Sequence, residues 1–501
     1  MEWGHLRTMP DNEYVRTDGK WLVDGSGRVF LFHGVNLGNK QPPFLPWASR
    51  QDVMALREWG FNSVRLFITW EAVEPAPGKH DDAFLDKVAE RLAWCREAGV
   101  KVVIDMHQDL YSRRYGGDGA PDWACLDEGM PNTVPGDSWF LGYLSPAVQR
   151  AFDNLWANKA GPDGIGIQDR FVAMWQYVAR RFRDDTNVLG YDILNEPAYG
   201  ERLNAVIGGL TTAIGSELGV RPTTVLSVSS AAGMAKTIQA LLQKGALSRV
   251  LDLAGPLNQR AERATLQPFY DRLTAAIRAV DPHHIIFFEP AFGDLSGTKV
   301  PTGLEAPKDA QRQPFPNVVF APHFYDFSIG YELLYDPAVA RPDLFLGRAK
   351  AAGDRMRVPT WFGEWGSIHR HPNRTDLDLG ARDQLDAFDK MLCGWAYWAY
   401  WGPDFRDFRL LPLMTRPYAE TIAGEPLHMR TTNDKFELDF IPQTQGGETV
   451  IWAPLDRQAD IKVNFAGNGT ARVVPGGPGL VSVICSPGAS RCTVTVSLSP
   501  R

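Results

Sequence analysis

From residue 29 onward, short apolar runs alternate with stretches in which apolar residues recur every three or four positions. The runs are "VFLFHGVN" (29–36), "NSVRLFIT" (62–69), "KVVIDMHQ" (101–108), "NVLGYDIL" (187–194), "HHIIFFEP" (283–290), "NVVFAPHFY" (317–325), "PTWFGEWG" (359–366) and "GWAYWAYW" (394–401). Between them, "SRQDVMALREWG" (49–60), "DDAFLDKVAERLAWCREAG" (81–99) and "QDRFVAMWQYVARRFRD" (168–184) have helical periodicity. Ser49 is placed to cap the first of these helices, and Gly60 follows its end. Strands alternating with helices predict a parallel sheet. Eight such units over residues 1–425 predict a (β/α)8 TIM barrel. A doubly wound sheet is the runner-up, but no glycine-rich phosphate turn follows the first strand.

Near residue 425 the period changes. "KFELDFIP", "TVIWAPL", "IKVNFAG", "TARVVPG", "LVSVIC" and "CTVTVSL" alternate apolar and polar positions between turn signals, which predicts a C-terminal antiparallel β-sandwich over 426–501. Two insertions interrupt the barrel pattern. Residues 109–165, rich in Trp, Gly and Pro, follow strand three, and residues 201–262, helical and rich in Ala, Leu and Gly, follow strand four. Loops after strands lie on the catalytic face of a barrel, so both are expected to shape access to a site.

Composition narrows the functional classes. With 52 Lys and Arg against 59 Asp and Glu, the net charge of −7 disfavours nucleic acid or an anionic membrane surface as the main partner. No apolar stretch approaches the roughly 18 residues of a transmembrane helix. The N-terminus lacks the basic start and apolar centre of a secretory signal. Either the protein is cytosolic, or it is secreted and a signal has been removed. Cys485 and Cys492 flank "SPGASR" in what reads as a β-hairpin, where they would either pair in an oxidising compartment or stand as free thiols. None of the five cysteines has metal-ligand spacing. Sixteen tryptophans supply aromatic faces, some of which would suit sugar rings.

In a barrel, reacting side chains come from the C-terminal ends of several strands. Those ends carry Asn36, Lys40, Arg65, His107, Asp109, Asn195, Glu196, Glu289, His323, Tyr325, Glu364 and Trp398. Glu196 and Glu364 follow strands four and seven and are expected to face one another across the mouth. Glycoside hydrolysis needs one carboxyl group on each side of the scissile bond. Arg65 could instead be a structural ion-pair partner, Trp398 could be core, and Glu289 is expected to support the other two acids.

Strand-four "NEP", strand-seven "GEWG", Arg65, His107 and "HFY" at 323–325 together resemble glycoside hydrolase family five. Within that family, "DMHQDLYSRRYGGDGAPDWA" (105–124) and "RPYAETIAGEP" (416–426) resemble the endoglycoceramidases. The resemblance implies that Glu196 is the general acid/base and Glu364 the nucleophile of a retaining reaction. It further implies that Asn195 bonds the sugar 2-hydroxyl, Tyr325 orients Glu364, His323 supports Glu196 and Arg65 favours an ionised nucleophile. Lys40, His107 and Asp109 would bind glycone hydroxyls, and Trp398 would form the stacking floor beside the scissile bond. The implied substrate is a β-glucosyl ceramide-type glycolipid, with transient contact at a membrane or micelle surface and no metal or organic cofactor. An exo-acting β-glucosidase on glucosylceramide or steryl glucoside and a polysaccharide endoglucanase are alternatives. An inactive carbohydrate- or lipid-binding protein is the rival from another class. The 201–262 insertion departs from the endoglycoceramidase pattern and reads either as a packed helical pair or as a lipid-accommodating lid.

Overall fold

The first apolar run divides between two sheets in the computed structural model, which describes residues 14–499 except 45–47, 135–138, 227–230, 293–298, 331–334, 338–341, 367–373, 433, 455–458, 469 and 476–478. The residues on which the reading of a missing signal rests, 1–13, lie outside the described residues. Val29–Phe30 pairs with Tyr418–Ile422, whereas His33–Gly38 opens the barrel. Parallel strands follow in chain order: Ser63–Thr69, Lys101–His107, Val188–Asp192, Ile285–Phe288, Val318–Phe320 with His323–Phe324, Phe362–Trp365 and Trp395–Tyr397. The last pairs with the first. Strand six comes in two pieces, one paired with strand five and the other with strand seven, so the ring closes as a (β/α)8 barrel. Pro322, which has no N–H to offer a ladder, sits at the break.

Helices pack around this ring for local reasons legible in the chain. Ser49 and Asp52 form a capping box at the start of Arg50–Glu58. Helix Asp82–Ala98 buries Phe84, Leu85, Val88, Leu92 and Cys95 on one face and ends at Gly99, whose φ of 70° suits glycine. Burying each large apolar side chain contributes on the order of 1.5–3 kcal/mol.

Inside the ring, Val103, Ile285, Phe287, Val319, Ala321 and Trp361 belong to one buried apolar cluster. The two-residue period of a strand then brings Asp105 and His107 inward above Val103, Glu289 above Phe287, and His323 and Tyr325 above Ala321. Strands four and seven break this parity. Each carries one extra residue, near Leu189 and between Phe362 and Trp365, where the register with its neighbour shifts. In strand seven a side chain on Gly363 would collide with His323, and Glu364 beside it also faces inward. A bulge re-aims the side chains beyond it.

The sandwich is not confined to 426–501. Its seven-stranded sheet takes in Tyr418–Ile422 and the N-terminal strands Arg16–Asp18, Trp21–Val23 and Val29–Phe30, and its four-stranded sheet begins at Gly424. The N-terminal strands cover an edge that Tyr418–Ile422 would otherwise expose. The expected Cys485–Cys492 hairpin also differs. Leu480–Cys485 pairs within the larger sheet and Ala489–Leu498 within the smaller, so the chain crosses between sheets at this point. Both thiols are buried between the sheets and unbridged.

The two insertions meet above the barrel. Residues 201–262 form helices, chiefly Arg202–Leu218, Ala231–Gln243 and Leu247–Ala264. Gln149 and Asn204 exchange amide hydrogen bonds across the seam, and Arg150 pairs with Glu201 at 2.9 Å. No described helix is long and apolar enough to cross a membrane.

Candidate active site

Arg65 projects from strand two into the barrel centre and is fully buried. Its guanidinium reaches Asp105 and Glu289 at 2.9 Å, Asp192 at 3.0 Å and Glu364 at 2.8 Å. It also donates to Asn36 Oδ1 at 3.1 Å and Asn195 Oδ1 at 3.0 Å. Burial opposes its charge, but the surrounding carboxylates, led by Asp105, hold it well above the ordinary arginine range. Arg65 is therefore both a structural ion-pair partner and a direct neighbour of Glu364, two readings the sequence offered as alternatives.

Glu364 lies between two donors. Arg65 donates to Oε1 at 2.8 Å, and the Tyr325 hydroxyl donates to Oε2, also at 2.8 Å. Glu196 has a different setting. Its backbone adopts φ of 39°, uncommon for a residue with a side chain. The Gln108 amide donates to the Asn195 and Glu196 carbonyls at 2.7 and 2.8 Å, and Glu289 accepts the Glu196 N–H at 2.8 Å. His323 Nδ1 stands 2.8 Å from Glu196 Oε1. Burial pushes the Glu196 carboxyl up to about 7; Glu364 and Glu289 add to this and His323 opposes it. One oxygen of each acid lies within 4.8 Å of the other. The pair thus occupies opposite strands in unlike environments, as an acid and a nucleophile require.

On one side of this pair, Lys40 donates to Asp109, lies 3.8 Å from Asp118 and sits 4.4 Å from the Trp398 ring centroid. His107 stacks on the same indole at 5.2 Å and 12°. Trp398 is only partly buried, so it is a wall of the site rather than core. His107 Nδ1 lies 2.7 Å from Asp105. Burial and Lys40 work against a charged His107, yet Asp105 and Asp109 raise it to about 9. Among the described residues three clusters have the closeness of metal ligands: His107, Asp109 and Asp118 lie beside Lys40; Asp105, Asp192 and Glu289 beside Arg65; and Glu196 and Glu364 on either side of His323. All twelve strand-end residues read from the sequence converge on this mouth.

Residues 23–404 match the model of the cellulase family, glycosyl hydrolase family 5. The chain belongs to glycosyl hydrolase family 5. It is a glycoside hydrolase. Endoglycoceramidase I of Rhodococcus hoagii is 28% identical over 455 residues, which is 87% of this chain and 79% of that protein. Among solved structures, endo-glycoceramidase II from a Rhodococcus species superposes with a TM-score of 0.70 in its ganglioside GM3 complex, at 26% identity over 96% of this chain and 100% of that one. The same protein's lactosyl-enzyme intermediate superposes at a TM-score of 0.68 and 26% identity, over 97% and 100% of the two chains.

The family 5 site also includes residues not singled out in the sequence. Asp105 and Asp192 lie in the middle of their runs, and an acid inside an apolar strand was the visible signal for both. Asp118 joins Lys40 because Asp109 and Asp118 form an antiparallel bridge. Gly117 permits it, since a side chain there would strike the Asp109 carbonyl. Burial pushes the Asp118 carboxyl up to about 7; Lys40 opposes this and Asp109 adds to it. Gln108, whose amide holds the acid-bearing loop, has no local signal beyond its place at a strand end.

Proposed function

We propose that this family 5 hydrolase is a retaining β-glycosidase that cleaves the β-glucosyl bond between a glycan and ceramide in glycosphingolipids. The observation that carries the reading is the approach of Glu196 and Glu364 to within 4.8 Å, one beside His323 and the other between Arg65 and Tyr325. Glu364 attacks the anomeric carbon while Glu196 passes its proton to the glycosidic oxygen, and ceramide leaves. Water then gives a proton to Glu196, its hydroxyl adds to the anomeric carbon, and Glu364 is released. Asn195 Oδ1 accepts from Arg65 and its amide donates to the Gln108 carbonyl, which fixes the side chain for a sugar 2-hydroxyl. Lys40, Asp109, His107 and Trp398 bind the glycone.

Likeness to an endo-glycoceramidase II seen with GM3, and as a lactosyl-enzyme, supports both the substrate class and double displacement. Met130, Val134 and Trp139 are exposed on the insertion after strand three, a setting suited to transient contact with a micelle or membrane surface. Secretion is part of the proposal, on substrate class alone, and a cell-fractionation measurement tests it. The deciding experiment is product analysis from glucosylceramide, lactosylceramide and a ganglioside. Endo action releases the intact glycan and ceramide from the larger substrates. Cleavage of glucosylceramide alone, with glucose as the product, would replace it with exo action. No hydrolysis of any of them, or of an aryl β-glucoside, would leave a binding protein.

A further inference from the structure

Glu289 follows strand five, in the inward row of Ile285 and Phe287, and is 1% exposed. Its main-chain carbonyl accepts from the Tyr270 hydroxyl at 2.8 Å. Both carboxylate oxygens are used. Oε1 accepts from Arg65 at 2.9 Å and lies 3.3 Å from His323 Nε2, while Oε2 accepts the Glu196 N–H at 2.8 Å. His323 therefore stands between two carboxyl groups, Glu289 at Nε2 and Glu196 at Nδ1.

A neutral imidazole carries one N–H and would turn a lone pair toward one of these groups. An imidazolium donates at Nδ1 to Glu196 and holds its Nε2 side 3.3 Å from Glu289 Oε1 as an ion pair, a contact outside hydrogen-bond geometry. The other charged groups around the ring are Glu364, 3.6 Å from Nδ1, then Asp192, and Arg65 as the opposing cation. Burial works against a charged ring, but Glu289, then Glu364 and the contact with Glu196, outweigh it and hold His323 well above the ordinary histidine range. The N–H at Nδ1 occupies Glu196 Oε1, so the acid's own proton is left to Oε2.

The geometry points to Glu289 as a positioning residue for the proton-transfer step: it keeps His323 an imidazolium and pins the Glu196 backbone in its left-handed turn. This rests on the reading of Glu196 as acid/base. When Glu196 gives its proton to the leaving oxygen it becomes a buried anion. An imidazolium already donating to Oε1 stabilises that anion with no rearrangement, and Glu289 supplies the charge that keeps the ring protonated. When water returns a proton to Glu196, the same cation is in place for the second step.

The test is the ionisation of His323, followed by NMR with labelled histidine and assigned with His323→Gln. In the wild type His323 is charged throughout about pH 5–8. In the isosteric Glu289→Gln its titration midpoint falls by about one unit or more. Turnover of a phenyl glucoside then drops roughly 10–100-fold at the alkaline end, while a dinitrophenyl glucoside loses far less. Glu289→Asp, which keeps the charge, returns His323 toward the wild-type midpoint. A His323 that is neutral at pH 7 in the wild type overturns the inference without any variant, so it stands testable even if Glu289→Gln does not fold. An unmoved midpoint in folded Glu289→Gln overturns it equally. The acid/base reading fails separately, through equal losses on good and poor leaving groups in Glu196→Ala, a result that does not bear on the His323 titration in the wild type or in Glu289→Gln.

Discussion

An oxygen of Glu196 and an oxygen of Glu364 lie within 4.8 Å of each other, brought together from strands four and seven. Retaining glycosidases hold their carboxyl groups about 5–5.5 Å apart, and inverting ones about 6.5–9.5 Å, to make room for a water. The retaining reading predicts a β-anomer as the first-formed product from a β-glucoside. Proton NMR of the early reaction reads this directly, and an α-anomer would sink the double-displacement reading.

The two acids should respond differently to removal. Glu364→Gly is expected to abolish turnover of natural substrates yet transfer a sugar from an α-glycosyl fluoride, which fills the vacated face. Glu196→Ala should lose roughly 10²–10⁴-fold on a poor leaving group and little on an activated aryl glycoside, which needs no proton. A Glu364→Gly enzyme inert toward the fluoride, with its fold intact, would contradict the nucleophile assignment.

Glu196 also sets a pH dependence. Burial raises its carboxyl to about 7, so the protonated acid is present below that pH, and kcat/KM should fall as the pH rises through it. The same shift bears on stability. The folded carboxyl keeps its proton up to about 7, whereas the unfolded chain releases it near 4.5. Stability is therefore full below about 4.5 and falls by on the order of 3 kcal/mol as the pH rises through about 7. Glu196→Gln has nothing to ionise, and its Tm advantage over the wild type should grow between pH 5 and pH 8 in calorimetry. A constant Tm difference would contradict the raised carboxyl.

Lys40 touches Asp109, approaches Asp118 and lies over Trp398. Lys40→Met keeps most of the stem and removes the ammonium. Losing a charged hydrogen bond of roughly 1.5–3 kcal/mol corresponds to a fall of about 10–100-fold in kcat/KM on an aryl glucoside. An unchanged kcat/KM would place Lys40 outside the glycone subsite.

Trp139 is 57% exposed on the insertion after strand three. If that insertion meets lipid, Trp139→Asp should cut activity on micellar glycosylceramide about tenfold and spare a soluble aryl glucoside, because each buried methylene is worth roughly 0.8 kcal/mol. Equal activity on both substrates would remove this face from lipid contact.

The twelve strand-end candidates were legible because of the fold class. In a parallel barrel every strand ends at the same mouth, so polar residues after apolar runs converge whatever their distance along the chain. Asp105 and Asp192 were equally visible as acids inside apolar runs, but their purpose was not, since it depends on Arg65 from another strand. Glu289 was legible as a supporting acid, but not its contacts with Glu196, Arg65 and His323.

The sequence by itself determined the alternation of strands and helices, the change to two-residue periodicity near 425, and the polar strand ends, because each depends on residues a few positions apart. Tertiary structure alone decided which sheet a strand joins. Val29–Phe30 left the barrel run for the sandwich, and the strands bearing Cys485 and Cys492 entered opposite sheets. It also decided the bulges in strands four and seven, which set the register of the strands that carry Asp192 and Glu364. Alternation specifies which faces of a strand are apolar, but partner and register are settled by packing between distant segments, where an extra residue changes which side chains face the core.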